Sequence, residues 1–140
     1  MRLKSYLNEG EIHKTRILKA IKKLPYPFEE KFDKYEETLD MLAFRFSKLQ
    51  SLIGEKIFRE YLKKNFFDVE GKSFFDILKE IEKEGIVDID TWNEFRKVRN
   101  FIFHEYPLED NEKKEIINFL IEKSKKLIEM FERIKNASIK

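Results

Sequence analysis

Phe28, Phe32, Tyr35, Leu39, Leu42, Phe46, Leu49, Ile53 and Ile57 follow one another at intervals of three or four residues. That spacing keeps all of them on one side of an α-helix, so the chain is committed to a single unusually long amphipathic helix. The pattern predicts a helix over residues 29–64, with a bend at Gly54, which costs roughly 1 kcal/mol relative to Ala inside a helix. A rod of that length cannot bury its stripe against one short neighbour. It needs several helices laid along it, and the rest of the chain supplies them.

Asn8 followed by Glu11 reads as a capping pair, after which Ile12, Ile17, Ala20, Ile21 and Leu24 mark a first helix. Leu24-Pro25-Tyr26-Pro27 ends it, because two prolines cannot continue a helix. Ser73 with Asp76 opens a short helix carrying Phe74, Phe75, Ile77, Leu78 and Ile81, closed near Gly85. Thr91 with Glu94 opens the next, and Pro107 closes it. A last long helix begins at Asp110 and buries Ile116, Ile117, Leu120, Leu127, Phe131 and Ile134. The expected fold is therefore all-α, an antiparallel bundle of about five helices formed by residues 1–140 as one domain.

Composition narrows the function classes. With 4 Gly and 3 Pro, the chain has too few turn formers for a β-sandwich. It has no cysteine, which removes disulfides, thiolate zinc sites and cysteine nucleophiles. No apolar run approaches the roughly 20 residues that span a bilayer, and none behind Met1 suits a signal peptide. The expectation is a cytoplasmic protein that makes no membrane contact. The 29 basic and 27 acidic side chains leave a net charge of +2, too small for a protein that grips nucleic acid by its overall charge. Any such contact must come from a local basic cluster. No His, Asp and Glu group has metal-ligand spacing and no Gly-rich phosphate loop is present, so neither a metal nor a cofactor is expected.

The string Arg99-Asn100-Phe101-Ile102-Phe103-His104-Glu105-Tyr106 concentrates chemistry in eight residues. Imidazole moves protons near neutral pH, and guanidinium is a permanent, forked ligand for phosphate. At 100° per residue, Phe95, Val98, Phe101 and Ile102 form the core side of this helix. Trp92, Arg96, Arg99, Asn100, Phe103, His104 and Tyr106 share the other side, within an arc of roughly 160°. Arg99 and His104 stand about 140° apart, so a bound phosphate or a second subunit must join them. Trp92 and Phe103, large apolar residues on the polar arc, suggest with Arg96 the interface of a two-fold homodimer. Read singly, Arg99 fits a surface ion-pair network and His104 a solvated side chain. His13, alone between Ile12 and Lys14, suggests no role.

The Arg-x4-His-x-Tyr string, the Glu84-Gly85-Ile86-Val87 turn, Trp92 seven residues before Arg99 and the long second helix resemble HEPN-domain proteins, specifically the HepT-like toxins. That resemblance implies a homodimeric helical bundle and a metal-independent endoribonuclease. His104 would move a proton at the ribose 2′-OH or the leaving oxygen, Arg99 would neutralise charge on the scissile phosphate, and Asn100 would orient His104 or the phosphate. It also implies a partner, an MNT-type nucleotidyltransferase antitoxin that transfers AMP to Tyr106. Nucleotidyltransferase substrate-binding subunits are similar and share the Arg-Asn-x3-His-x-Tyr string. In that alternative the bundle presents a substrate and cuts nothing. A structural helical partner with a vestigial motif is the third possibility.

Overall fold

A computed structural model describes residues 2–103 and 109–139, with the backbone alone for 101–103. Among the described residues the chain is all-helical, with no strand. Helices α1 (Arg2–Lys22), α2 (Glu36–Leu52), α3 (Phe58–Lys64), α4 (Phe74–Lys83), α5 (Ile89–Phe103) and α6 (Asp110–Ile139) follow in order. A 3₁₀ turn, Phe32–Tyr35, leads into α2, and a π-helical turn, Ile53–Ile57, joins α2 to α3. The predicted long helix is therefore one rod from Phe32 to Lys64, and the described chain forms five rods. None is long and apolar enough to cross a membrane.

The stripe is the centre of the core. Leu39, Leu42, Phe46, Leu49, Ile53 and Ile57 are buried, facing Ile17 and Ala20 of α1, Phe95 and Val98 of α5, and Leu127, Phe131 and Ile134 of α6. Helix α1 runs antiparallel to both α2 and α6. Lys14 pairs with Glu132 and Lys135 with Glu11 across the α1–α6 seam. Gly10 lies in that seam, where a Cβ would collide with the Phe131 ring. Phe28 stands ahead of the rod yet is buried. Its N–H donates to Asn118 Oδ1 at 2.6 Å, and its carbonyl accepts from Asn118 Nδ2 at 3.0 Å.

Local signals hold in some places and shift in others. Ser73 and Asp76 form a reciprocal capping box, with Asp76 N donating to Ser73 Oγ at 3.1 Å and Ser73 N to Asp76 Oδ2 at 3.3 Å. Asn8 is not a cap: α1 already starts at Arg2, and Ile12 points outward. Nor does Thr91 cap α5. The helix begins two residues earlier, where Asp88 Oδ1 accepts from Thr91 N at 2.7 Å, and Glu94 pairs instead with Lys123. The bond from Thr91 holds the Asp88 carboxyl below its usual range, which favours the charged form at a helix N-terminus.

Two helices end in the same Schellman geometry with different residues at its left-handed position. After α4, Gly85 (φ 75°) donates to Glu82 O and Ile86 to Ile81 O. After α3, Phe66 (φ 65°) donates to Lys63 O and Phe67 to Leu62 O. Phe66 is 98% exposed, so its ring gains nothing for the strain. A left-handed non-glycine residue costs about 1–2 kcal/mol. Glycine costs roughly 0.5–1 kcal/mol in chain entropy. Phe66→Gly is expected to stabilise the fold by roughly 0.5–1 kcal/mol by urea denaturation, the difference between those terms. A lower midpoint would contradict the strain.

Candidate functional site

Helix α5 crosses the rod where the rod departs from α-helical geometry. The π turn Ile53–Ile57 places Gly54 against the Trp92 ring, where a Cβ would lie 2.8 Å from Trp92 Cζ2. Turns of this kind insert one residue into a helix and are frequent at functional sites. Here the turn opens a socket. Trp92 fills it, 1% exposed, with Phe58 at 4.9 Å, Phe95 at 6.0 Å and Phe74 at 6.2 Å between ring centroids. The expected interface role of Trp92 is thereby corrected. Its ring is spent on the chain's own core and only borders the groove above it.

Above the socket lies an open groove of about 170 Å³. Arg96 and Arg99 line it from α5, and Gln50, Ser51 and Glu55 from the rod. Gln50 is 4% exposed, and its Oε1 accepts from Arg99 Nη1 at 3.3 Å. A buried amide thus steadies one arm of half-buried Arg99 where it lines the groove, while exposed Arg96 adds a second cation. An arginine pair over a narrow groove, with a single carboxylate at its edge, suits a phosphate. Asn100 is exposed and does not line the groove. The expected roles of His104 and Tyr106, and of the Phe103 side chain, lie outside the described residues.

The structure brings out a further pair that the sequence did not suggest. His13 on α1 meets Arg45 on α2, 3.1 Å from His13 Nδ1 to Arg45 Nη1. Arginine can only donate, so Nδ1 is the acceptor and the ring is neutral there. Burial lowers the His13 pKa below its ordinary value, and the charge of Arg45 lowers it further, with Glu9 opposing and Lys48 adding to the fall. The sign follows. Between the folded value and about 6.5 the unfolded chain binds the proton better, so this contribution to stability is complete above that window and is lost as pH falls through it. An NMR titration should place the His13 midpoint below 6.5, moving up in Arg45→Gln; an unchanged midpoint in that variant would exclude the contact.

No protein-family model matches the chain, no curated protein matches its sequence, and no solved structure matches its fold.

Proposed function

We propose that the chain is a metal-independent endoribonuclease, the toxin of a HEPN/MNT pair, and that it acts as a homodimer. The observation that carries this reading is Arg99, held by buried Gln50 at the edge of a groove and followed five residues later by His104. Dimerisation is supported by the roughly 140° between those two residues on a straight helix. With Trp92 in the core, the interface falls to Arg96 and Phe103. His104 of one subunit takes the proton of a ribose 2′-OH. The 2′ oxygen forms a bond to phosphorus, the bond from phosphorus to O5′ breaks, and a second His104 returns a proton to O5′. Arg99 neutralises the charge that accumulates on the phosphoryl oxygens, with Asn100 beside it. The products are a 2′,3′-cyclic phosphate and a 5′-OH, and no water is consumed.

In the same reading an MNT-type nucleotidyltransferase antitoxin switches the toxin off. The Tyr106 phenol oxygen bonds to the α-phosphate of ATP and pyrophosphate leaves. The AMP retained there places negative charge beside Arg99 and His104 and competes with RNA for them. The test is incubation of the purified chain with single-stranded RNA in excess EDTA, with end-group analysis of the fragments and light scattering for the oligomeric state. Cyclic phosphate ends produced by a dimer support the proposal. A monomer at micromolar concentration contradicts the shared site. Absence of cleavage with tight binding to a nucleotidyltransferase establishes the substrate-binding subunit instead.

A further inference from the structure

The local basic cluster that a net charge of +2 calls for lies on α1, on the opposite flank of α2 from Arg99. Residues 12–28 contain Lys14, Arg16, Lys19, Lys22 and Lys23 and no carboxylate. Lys14 is taken by Glu11 and Glu132. Arg16, Lys19 and Lys23 are exposed, recur at helical spacing on one face, and form no ion pair among the described residues. They line a cavity of about 210 Å³ against Glu37, Thr38 and Met41 of α2. Arg16 and Lys19 also line a second cavity of about 340 Å³ with Glu11, Ile12 and Thr15, and the two cavities that share these cations make up the furrow along α1.

A second stripe connects this furrow to the Arg99 groove. Met41, Phe44, Lys48 and Ser51 are spaced by three and four along the outer side of α2. Met41 lines the cation furrow and Ser51 the Arg99 groove, about 15 Å away along the helix axis. Met41 is 43% and Phe44 46% exposed. The Phe44 ring has Arg45 and Lys48 each 5.4 Å from its centroid. Arg45 is held by His13, and exposed Lys48 can leave the ring for a phosphate, so the half-exposed ring can serve as a stacking platform for a nucleobase. Cations at one end, an aromatic platform in the middle and an arginine groove at the other end match a single strand, which offers alternating phosphates and flat bases. An acidic helix would use the cations and leave Phe44 without a partner.

We infer that single-stranded RNA engaged at Arg99 runs across the outer side of α2, stacks a base on Phe44, and lays its phosphates along Arg16, Lys19 and Lys23. This path rests on the ribonuclease reading for the identity of the strand and for its end at Arg99; Arg16, Lys19, Lys23 and Phe44 are not assigned to the chemistry. The experiment measures binding of a labelled 20-nucleotide oligouridylate to full-length chains carrying His104→Ala, by anisotropy over a range of KCl concentrations. Each phosphate neutralised on a single strand contributes about 0.7 to the slope of log affinity against log salt. The Arg16→Gln/Lys19→Gln/Lys23→Gln variant should lose about tenfold or more in affinity at 0.1 M salt, with a slope shallower by about 2. Phe44→Ala should lose about fivefold or more with the slope unchanged. Lys79→Gln/Lys83→Gln on α4, a charge control, should change little. An unchanged slope and affinity in the triple variant overturns the path while leaving the ribonuclease reading intact. Binding with both signatures by a chain that, with His104 restored, cleaves nothing sustains the path and defeats that reading. Absence of RNA binding defeats both.

Discussion

Trp92→Ala is expected to cost about 3–5 kcal/mol of unfolding free energy, the range for removing a fully buried tryptophan ring from a closed core. The ring is the plug of the bundle, seated on Gly54 and bordered by Phe58, Phe74 and Phe95. Those neighbours belong to three helices and the π turn, so the cavity cannot close without moving the rod against α5. The loss should be the same at low and high micromolar protein concentration in urea titrations. Were Trp92 an interface residue, the loss would appear as weaker dimerisation and grow on dilution. Trp92→Phe should cost much less. It keeps an aromatic in the socket and removes an indole N–H that is buried without a partner among the described residues. A small loss in Trp92→Ala would show that the socket is not what holds α5 to the rod.

The same residue shows how far the sequence could be read. The intervals of three and four between Phe32 and Ile57 foretell the rod, its buried face and hence the bundle, because burial of an apolar stripe depends on spacing within one helix. The Ser73–Asp76 cap and the Gly85 stop are local too, and they stand. A helical wheel places Trp92 on the polar arc because it ranks a residue only by its angle on its own helix. What decided its burial is a vacancy on another helix, created by an absent Cβ at Gly54 and an inserted residue in the π turn. His13–Arg45 and Arg99–Gln50 escaped for a related reason. Their partners lie 32 and 49 residues away in sequence, and nothing at either position announces the other. Thr91 yields to Asp88, an equally good capping residue three positions earlier, and Asn8 lies inside α1 because Leu3, Tyr6 and Leu7 already pack on the core ahead of it.

Arg99→Lys is expected to reduce the single-turnover rate of RNA cleavage by about 100-fold or more, and Arg99→Ala further, in the range seen when one donor to a developing oxyanion is removed. Lysine keeps the charge but not the fork. The planar guanidinium carries five N–H donors, and the bond to Gln50 Oε1 at 3.3 Å fixes one arm of a group whose shape matches a phosphate, whereas an ammonium held by Gln50 would turn toward the amide and away from the phosphate. His104→Ala should be more damaging still, since it removes proton transfer as well as positive charge. Affinity for an RNA blocked by a 2′-deoxy sugar at the cleaved position should fall much less than the rate in all three variants, because the interaction grows as charge develops on the phosphate. Equal losses in affinity and rate would make Arg99 a binding residue only, and wild-type cleavage by Arg99→Lys would remove it from the reaction altogether. Mixing wild-type chains with His104→Ala chains gives a sharper measurement. The proposed reaction uses a His104 from each of two subunits, one to take the 2′ proton and one to return a proton to O5′, so the heterodimer should be as impaired as the His104→Ala homodimer. Activity should then fall below the fraction of wild-type chains in the mixture, whereas activity proportional to that fraction would show that each chain cuts alone and would defeat the shared cleft.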